Sequence, residues 1–147
     1  LRAIIALGSN LGDRHQNLNQ GLKALESLGS VTPSPLILET PDESGRGPAY
    51  LNTVARLETK LDNPCRVLEE LLRLELQLGR DRTGGRNAPR TLDLDLIEVT
   101  GMEGLWTWPA PEDLRCLGDE LVLELPHPRA AQRAFVQEPL KALINLA

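Results

Sequence analysis

Aromatic residues are nearly missing from this chain: Trp106, Trp108, Tyr50 and Phe135 are the only four in 147 residues. A folded core must therefore be aliphatic, and leucine is the residue most available to build it. The stacking strands of an RNA-recognition sheet also lack their rings. Cysteine is scarce as well. Cys65 and Cys116 have no metal-ligand spacing and suggest no disulfide framework. No apolar run reaches membrane length, and no signal peptide precedes the first strand-like segment. Positive charge is not in excess: 16 Lys and Arg face 21 Asp and Glu, a net charge of −5. That balance argues against nucleic acid as the main partner. Together these absences predict a soluble cytoplasmic protein without a nucleic-acid or membrane partner. The chain opens at Leu1 rather than Met, which points to a trimmed terminus.

The common phosphate fingerprints are absent too. Gly8-Ser9-Asn10-Leu11-Gly12 is not followed by Lys-Ser/Thr, so it is no P-loop, and no strand leads into a GxGxxG turn. Any bound nucleotide must be held by arginines and metal. There is no internal repeat and no low-complexity tract.

What is present fits one domain spanning 1–147. Ala3 to Leu7 reads as a buried strand ended by Gly8. Leu18, Leu22, Leu25 and Leu28 mark one face of a helix that stops at Gly29. Val31 to Glu39 reads as a strand whose first half Pro33 and Pro35 push to an edge. Pro41 to Pro48 is a loop, and Tyr50 to Glu58 is another strand. Asn63-Pro64 starts a second helix, with Asn as cap and Pro in the first position. Val67, Leu68, Leu71, Leu74 and Leu78 follow, and Gly79 ends it. The LDLDL strand comes next. The order is βαββαβ, the pattern of a ferredoxin-like α+β domain with an antiparallel sheet and helices packed on it. A C-terminal extension follows: a polar excursion from Thr100 to Asp119, a short strand at Leu121–Leu125, a turn at Pro126–Arg129 and a helix from Pro139.

The most informative stretch is Gly79 to Glu98, GRDRTGGRNAPRTLDLDLIE. Side chains alternate faces along a strand. Leu92, Leu94 and Leu96 therefore share one face, and Asp93 and Asp95 share the other. Two residues of strand rise span roughly 6.5–7 Å. A solvated pair of acids is one reading. Asp is depleted in strands, however, and two on one face repel unless a cation lies between them. Such a pair suits divalent metal in phosphoryl chemistry. Arg80, Arg82, Arg86 and Arg90 precede it, and guanidinium groups bind phosphate oxygens bidentately. Gly84-Gly85 gives their loop the freedom of a lid. Residue types alone stop at metal and polyphosphate. Elsewhere, His127 lies between prolines near Arg129, Arg133 and Phe135. Tyr50 and Phe135 could be core residues or could sandwich a flat heterocycle, with Asn52 supplying amide donor and acceptor.

These residues resemble the 6-hydroxymethyl-7,8-dihydropterin pyrophosphokinase family of folate biosynthesis over almost the whole chain. The likeness runs through Ala6 to Arg14, Glu39-Thr40-Pro41, Tyr50-Leu51-Asn52, Leu57-Glu58-Thr59, Glu75 to Arg82, Pro89 to Asp95, and Pro126-His127-Pro128-Arg129 with Arg133 and Phe135. The resemblance implies transfer of pyrophosphate from ATP to the pterin hydroxymethyl group, with AMP leaving. It implies that Asp93 and Asp95 bind two Mg²⁺ ions, and that Arg80 and Arg90 stabilise the transferring phosphates, joined by Arg82. Glu75, His127, Arg133 and the backbone near Leu96 would contact the nucleotide. Tyr50 and Phe135 would stack on the pterin, with Asn52 and the Thr40-Pro41 region as its polar partners. A monomer acting on small molecules is expected. Leu72 and Asn87 depart from the family's usual Gln and Trp, and Thr100–Asp119 is longer than usual. Two other readings stay open: a non-catalytic RNA-binding module on the same scaffold, and another metal-dependent phosphotransferase or phosphohydrolase.

Overall fold

The structure is a computed structural model that describes residues 1–41, 45, 47–79 and 91–146. The first strand, β1 (Arg2–Ser9), leads into helix α1 (Arg14–Leu25), and then β2 (Gly29–Pro33), β3 (Leu38–Thr40) and β4 (Tyr50–Thr59) follow. Helix α2 (Pro64–Gln77) and β5 (Asp93–Val99) complete the main unit. The sheet order is β2-β4-β1-β5, with every pair antiparallel and β3 also pairing with β4. This is the ferredoxin-like α+β arrangement, with its second strand in two pieces.

The break in that strand corrects the single strand expected from Val31 to Glu39. Pro33 and Pro35 cannot donate backbone hydrogen bonds. Between β2 and β3, Ser34 keeps one bond to β4 through its N–H, 2.9 Å from the Val54 carbonyl. Its buried hydroxyl donates instead to the Pro139 carbonyl at 2.7 Å.

Helix starts follow local chemistry. Asp13 caps α1 by accepting from the Gln16 N–H at 3.1 Å, and Asn63 caps α2 by accepting from the Cys65 N–H at 2.9 Å. Gly29 is not the helix stop that was expected; α1 ends at Leu25, and Gly29 opens β2. A Cβ there would lie 2.0 Å from the Glu58 carbonyl oxygen, so glycine permits the close approach of β2 to β4.

Both faces of the sheet are covered. On one, Leu92, Leu94 and Leu96 join Ile5, Leu7 and Leu57 against Leu18 and Leu25 of α1 and Val67, Leu71 and Leu74 of α2. Truncating a fully buried leucine such as Leu71 costs about 2–5 kcal/mol. On the other face, Ile4, Val54 and Ile97 pack against Ala130, Val136 and Leu143.

Residues from Ala130 onward supply that second cover, whereas the hairpin before them packs against the leucine core and α2. Strands β6 (Gly104–Pro109) and β7 (Glu120–Leu125) form an antiparallel hairpin, joined through a 3-10 turn at Glu112–Leu117. A short 3-10 turn at Ala130–Gln132 precedes helix α3 (Ala134–Ile144). The helix starts earlier than the expected Pro139, which lies inside it. Val136, Leu140 and Leu143 form the apolar stripe that fixes its position on the sheet.

The Thr100–Asp119 excursion is thus largely hairpin. The Trp108 indole N–H donates to the buried Glu69 carboxylate at 2.9 Å, and Trp106 packs against the leucine core. Arg73 on α2 forms a forked pair with Asp113, at 2.7 and 3.2 Å. That pair raises the guanidinium's affinity for its proton and holds the Asp113 carboxyl below its ordinary value.

Candidate functional site

The site is set by strand register. Gly8 in β1 pairs with Asn52 on one side and Asp93 on the other. Ala6 likewise lies between Val54 and Asp95. Two strand spacings put the Asn52 and Asp93 backbones about 10 Å apart, with only glycine between them. A Cβ on Gly8 would come within 3.3 Å of the Asn52 Oδ1 and 3.4 Å of the Tyr50 ring. Glycine therefore keeps the floor low between the amide and the carboxylate. Above that floor is a cleft of about 520 Å³, lined by Thr40, Pro41, Tyr50, Asn52, Glu75, Asp93, Asp95, His127, Arg133 and Phe135 among others.

One half of the cleft is neutral. The Asn52 side chain is buried, and its Nδ2 donates to the Thr40 hydroxyl at 2.9 Å and to the Leu38 carbonyl at 3.4 Å. With the amide nitrogen so engaged, Oδ1 is the atom turned toward Gly8. Tyr50 and Phe135 each present a half-buried ring to the same space. The Arg133 guanidinium lies 5.4 Å from the Phe135 ring centroid, a cation–π distance.

The other half is charged. Asp93 and Asp95 are half-buried and line the cleft together. Glu75 reaches the same wall from α2. It is 2% exposed, and its Oε2 accepts from the Leu94 N–H at 2.7 Å, which satisfies a donor on the outer edge of β5. His127 follows a cis Leu125–Pro126 peptide, and its N–H donates to the Ile97 carbonyl at 2.7 Å. The Arg129 N–H donates to the imidazole Nδ1 at 3.2 Å, which leaves Nε2 as the protonated nitrogen of the neutral ring. Burial, and then the nearby Arg133 and Arg129 charges, hold the imidazole below its ordinary value and favour that neutral form.

Asp93 and Asp95 form a hard-oxygen set suited to Mg²⁺. Among the described residues no group of three or more His, Cys, Asp or Glu is placed to hold a metal. A cation on the two aspartates would then complete its shell with substrate oxygens and water, as Mg²⁺ does at phosphate sites.

Ten of the residues expected from the sequence thus meet in one cleft. Arg80, Arg82 and Arg90, with Arg86 and Asn87, lie outside the described residues. Leu96 does not line the cleft; it is 3% exposed in the leucine core. The register between β1 and β5 slips after Ile4, so Ile97 is an extra residue opposite no partner. Alternation itself puts Ile97 on the face of Asp93 and Asp95 and Leu96 on the opposite one, so Ile97, rather than Leu96, lines the cleft. Gly8, Leu68 and Ile97 were not singled out as site residues. Gly8 was read as the residue that ends the first strand, and the other two looked like core.

A ferredoxin-like sheet with paired acids beside a ring-and-amide pocket is a layout able to hold a metal-bound polyphosphate next to a flat molecule. Residues 4–145 match the family model described as 7,8-dihydro-6-hydroxymethylpterin-pyrophosphokinase. The chain belongs to this family. It is 35% identical to the 2-amino-4-hydroxy-6-hydroxymethyldihydropteridine pyrophosphokinase of Haemophilus influenzae, covering 95% of this chain and 79% of that one. The protein of the same name from Pseudomonas aeruginosa is 34% identical, covering 97% and 80%. A folate synthesis bifunctional protein of Arabidopsis thaliana is 35% identical over 97% of this chain, which spans only 27% of the plant protein's length.

Proposed function

We propose that the protein transfers pyrophosphate from ATP to 6-hydroxymethyl-7,8-dihydropterin, releasing AMP, as a step in folate synthesis. The hydroxymethyl oxygen forms a bond to the β-phosphorus of ATP. The bond from that phosphorus to the oxygen bridging to the α-phosphorus breaks, AMP departs with that oxygen, and the hydroxyl gives up its proton. The observation that carries this reading is the shared floor. One row across three strands joins the Asn52 amide, the open position at Gly8 and the Asp93 carboxylate. An acceptor lying against Asn52 would therefore have its substituent close to phosphates held by the acids.

In this reading Tyr50 and Phe135 stack on the pterin, and Asn52, Thr40 and Pro41 fix its edge. Asp93 and Asp95 would hold two Mg²⁺ ions, whose chemistry at such a site is to neutralise polyphosphate charge and lower the pKa of a nearby hydroxyl. Glu75, His127 and Arg133 take the nucleotide, with the strand backbone at Leu96 and Ile97 beside it. Arg80, Arg82 and Arg90 neutralise the transferring phosphates. The reading includes one pyrophosphokinase domain acting as a cytoplasmic monomer on small molecules.

The test is product analysis of the purified protein. AMP should form from ATP only when both the hydroxymethyl-dihydropterin and Mg²⁺ are supplied. Orthophosphate release without pterin, or no AMP with everything present, would overturn the assignment.

A further inference from the structure

We propose that Arg14 is a positioning residue for the acceptor half of the cleft, an inference that rests on the pterin reading above. Arg14 is the first residue of α1 and does not line the cleft. Its guanidinium makes two contacts with the chain on either side of the loop that separates β3 from β4. One amino group donates to the Ala49 carbonyl at 2.8 Å, and the other pairs with the Glu39 carboxylate at 2.8 Å. Between these two contacts the ladder ends on Thr40 and Tyr50, which are Cα partners and both cleft-lining. Arg14 thus ties Glu39, within β3, to Ala49, the residue just before β4, beside the last pair of this ladder. Asn10, in the same turn after β1, adds a bond from its Nδ2 to the Pro48 carbonyl at 3.3 Å.

Helix electrostatics make this placement informative. The N-terminal end of a helix carries partial positive charge, so a cation there is unfavourable to the helix itself. Arg14 sits at that end, and no acid occupies the first turn of α1. Its two contacts across to Glu39 and Ala49, and not helix stability, account for an arginine there. Arg14, with Asn10, then acts as a buckle that holds the entry of the chain into β4 at Tyr50, and with it the ring that Tyr50 presents to the acceptor.

Steady-state kinetics of the intact protein, with thermal melting alongside, test this. Arg14→Met should raise KM for the pterin about tenfold, the scale of a lost charge-assisted hydrogen bond. KM for ATP should stay within about twofold, and the melting temperature should hold, because the helix loses an unfavourable charge. Arg14→Lys, which can keep one contact, should recover part of the pterin KM. Equal rises in both KM values, a fall in melting temperature that matches the kinetic loss, or an unchanged pterin KM would each overturn the assignment. An inactive wild-type protein would instead overturn the pterin reading and this inference with it.

Discussion

The two halves of the cleft are built differently. The half we assign to the acceptor rests mainly on one antiparallel ladder, with Thr40, Tyr50 and Asn52 on β3 and β4 spaced by strand register, and takes a single ring, Phe135, from α3. The phosphate half draws on four elements. Glu75 comes from α2, the two aspartates from β5, His127 from the turn after β7, and Arg133 from the entry to α3. The difference suggests that a rigid, flat acceptor can be met mostly by one ladder, whose geometry is set by backbone hydrogen bonds, with one ring brought over it. Charge on a flexible polyphosphate must be met from several directions, and that requires tertiary packing to hold each arm.

The strongest way to break this comparison is at β5. Asp95→Ala should lower kcat on the order of 10³-fold, the scale of a lost electrostatic stabiliser, while pterin binding to the free protein stays nearly unchanged. Turnover near wild type would remove the metal role. Asn52→Ala should do the reverse. We expect pterin KM to rise roughly 10- to 100-fold with kcat less affected, because one polar edge contact is lost; an equal loss in ATP affinity would show that the halves are not separate.

Trp108→Phe probes the packing behind the phosphate half. It leaves the buried Glu69 without its indole donor, a cost of about 1–3 kcal/mol. At roughly 2–4 °C per kcal/mol for a chain of this size, melting should fall by several degrees. ATP KM should rise with no change in pterin KM, since α2 carries Glu75. A melt identical to wild type would mean that the hairpin does not brace α2. The smallest effect concerns Asp113. Its carboxyl is held below its ordinary value by Arg73, so this pair's contribution to stability is present above the unfolded value and is lost as pH falls through the lower folded one. Melting of Asp113→Asn and of wild type, compared from neutral pH down to below about pH 4, should converge at the acid end.

Much of this site was legible because it depends on period and local chemistry. The alternation from Leu92 to Leu96 fixed which face would be core and which would carry acid. Asn63-Pro64 marked its helix start correctly. The tryptophans were not legible, since the partner of Trp108 is Glu69, 39 residues away. The Ile97 bulge was hidden too: a slip in register is a property of two strands, and only one of them is read at a time. The start of α3 was misplaced because Pro139 read as a beginning, although Val136 already carried the apolar stripe.

Helix α3 has a consequence for synthesis. The cleft draws residues from Ala6 to Val136, and its far wall is the entry to this last helix. A chain emerging from the ribosome could finish the ladder and present its acids early, yet still lack Arg133 and Phe135. No shortened product ending before α3 would hold a complete cleft, and the Ser34 hydroxyl would lack its Pro139 acceptor. Under the proposed pyrophosphokinase reading, premature termination should therefore yield inert fragments that do not spend ATP.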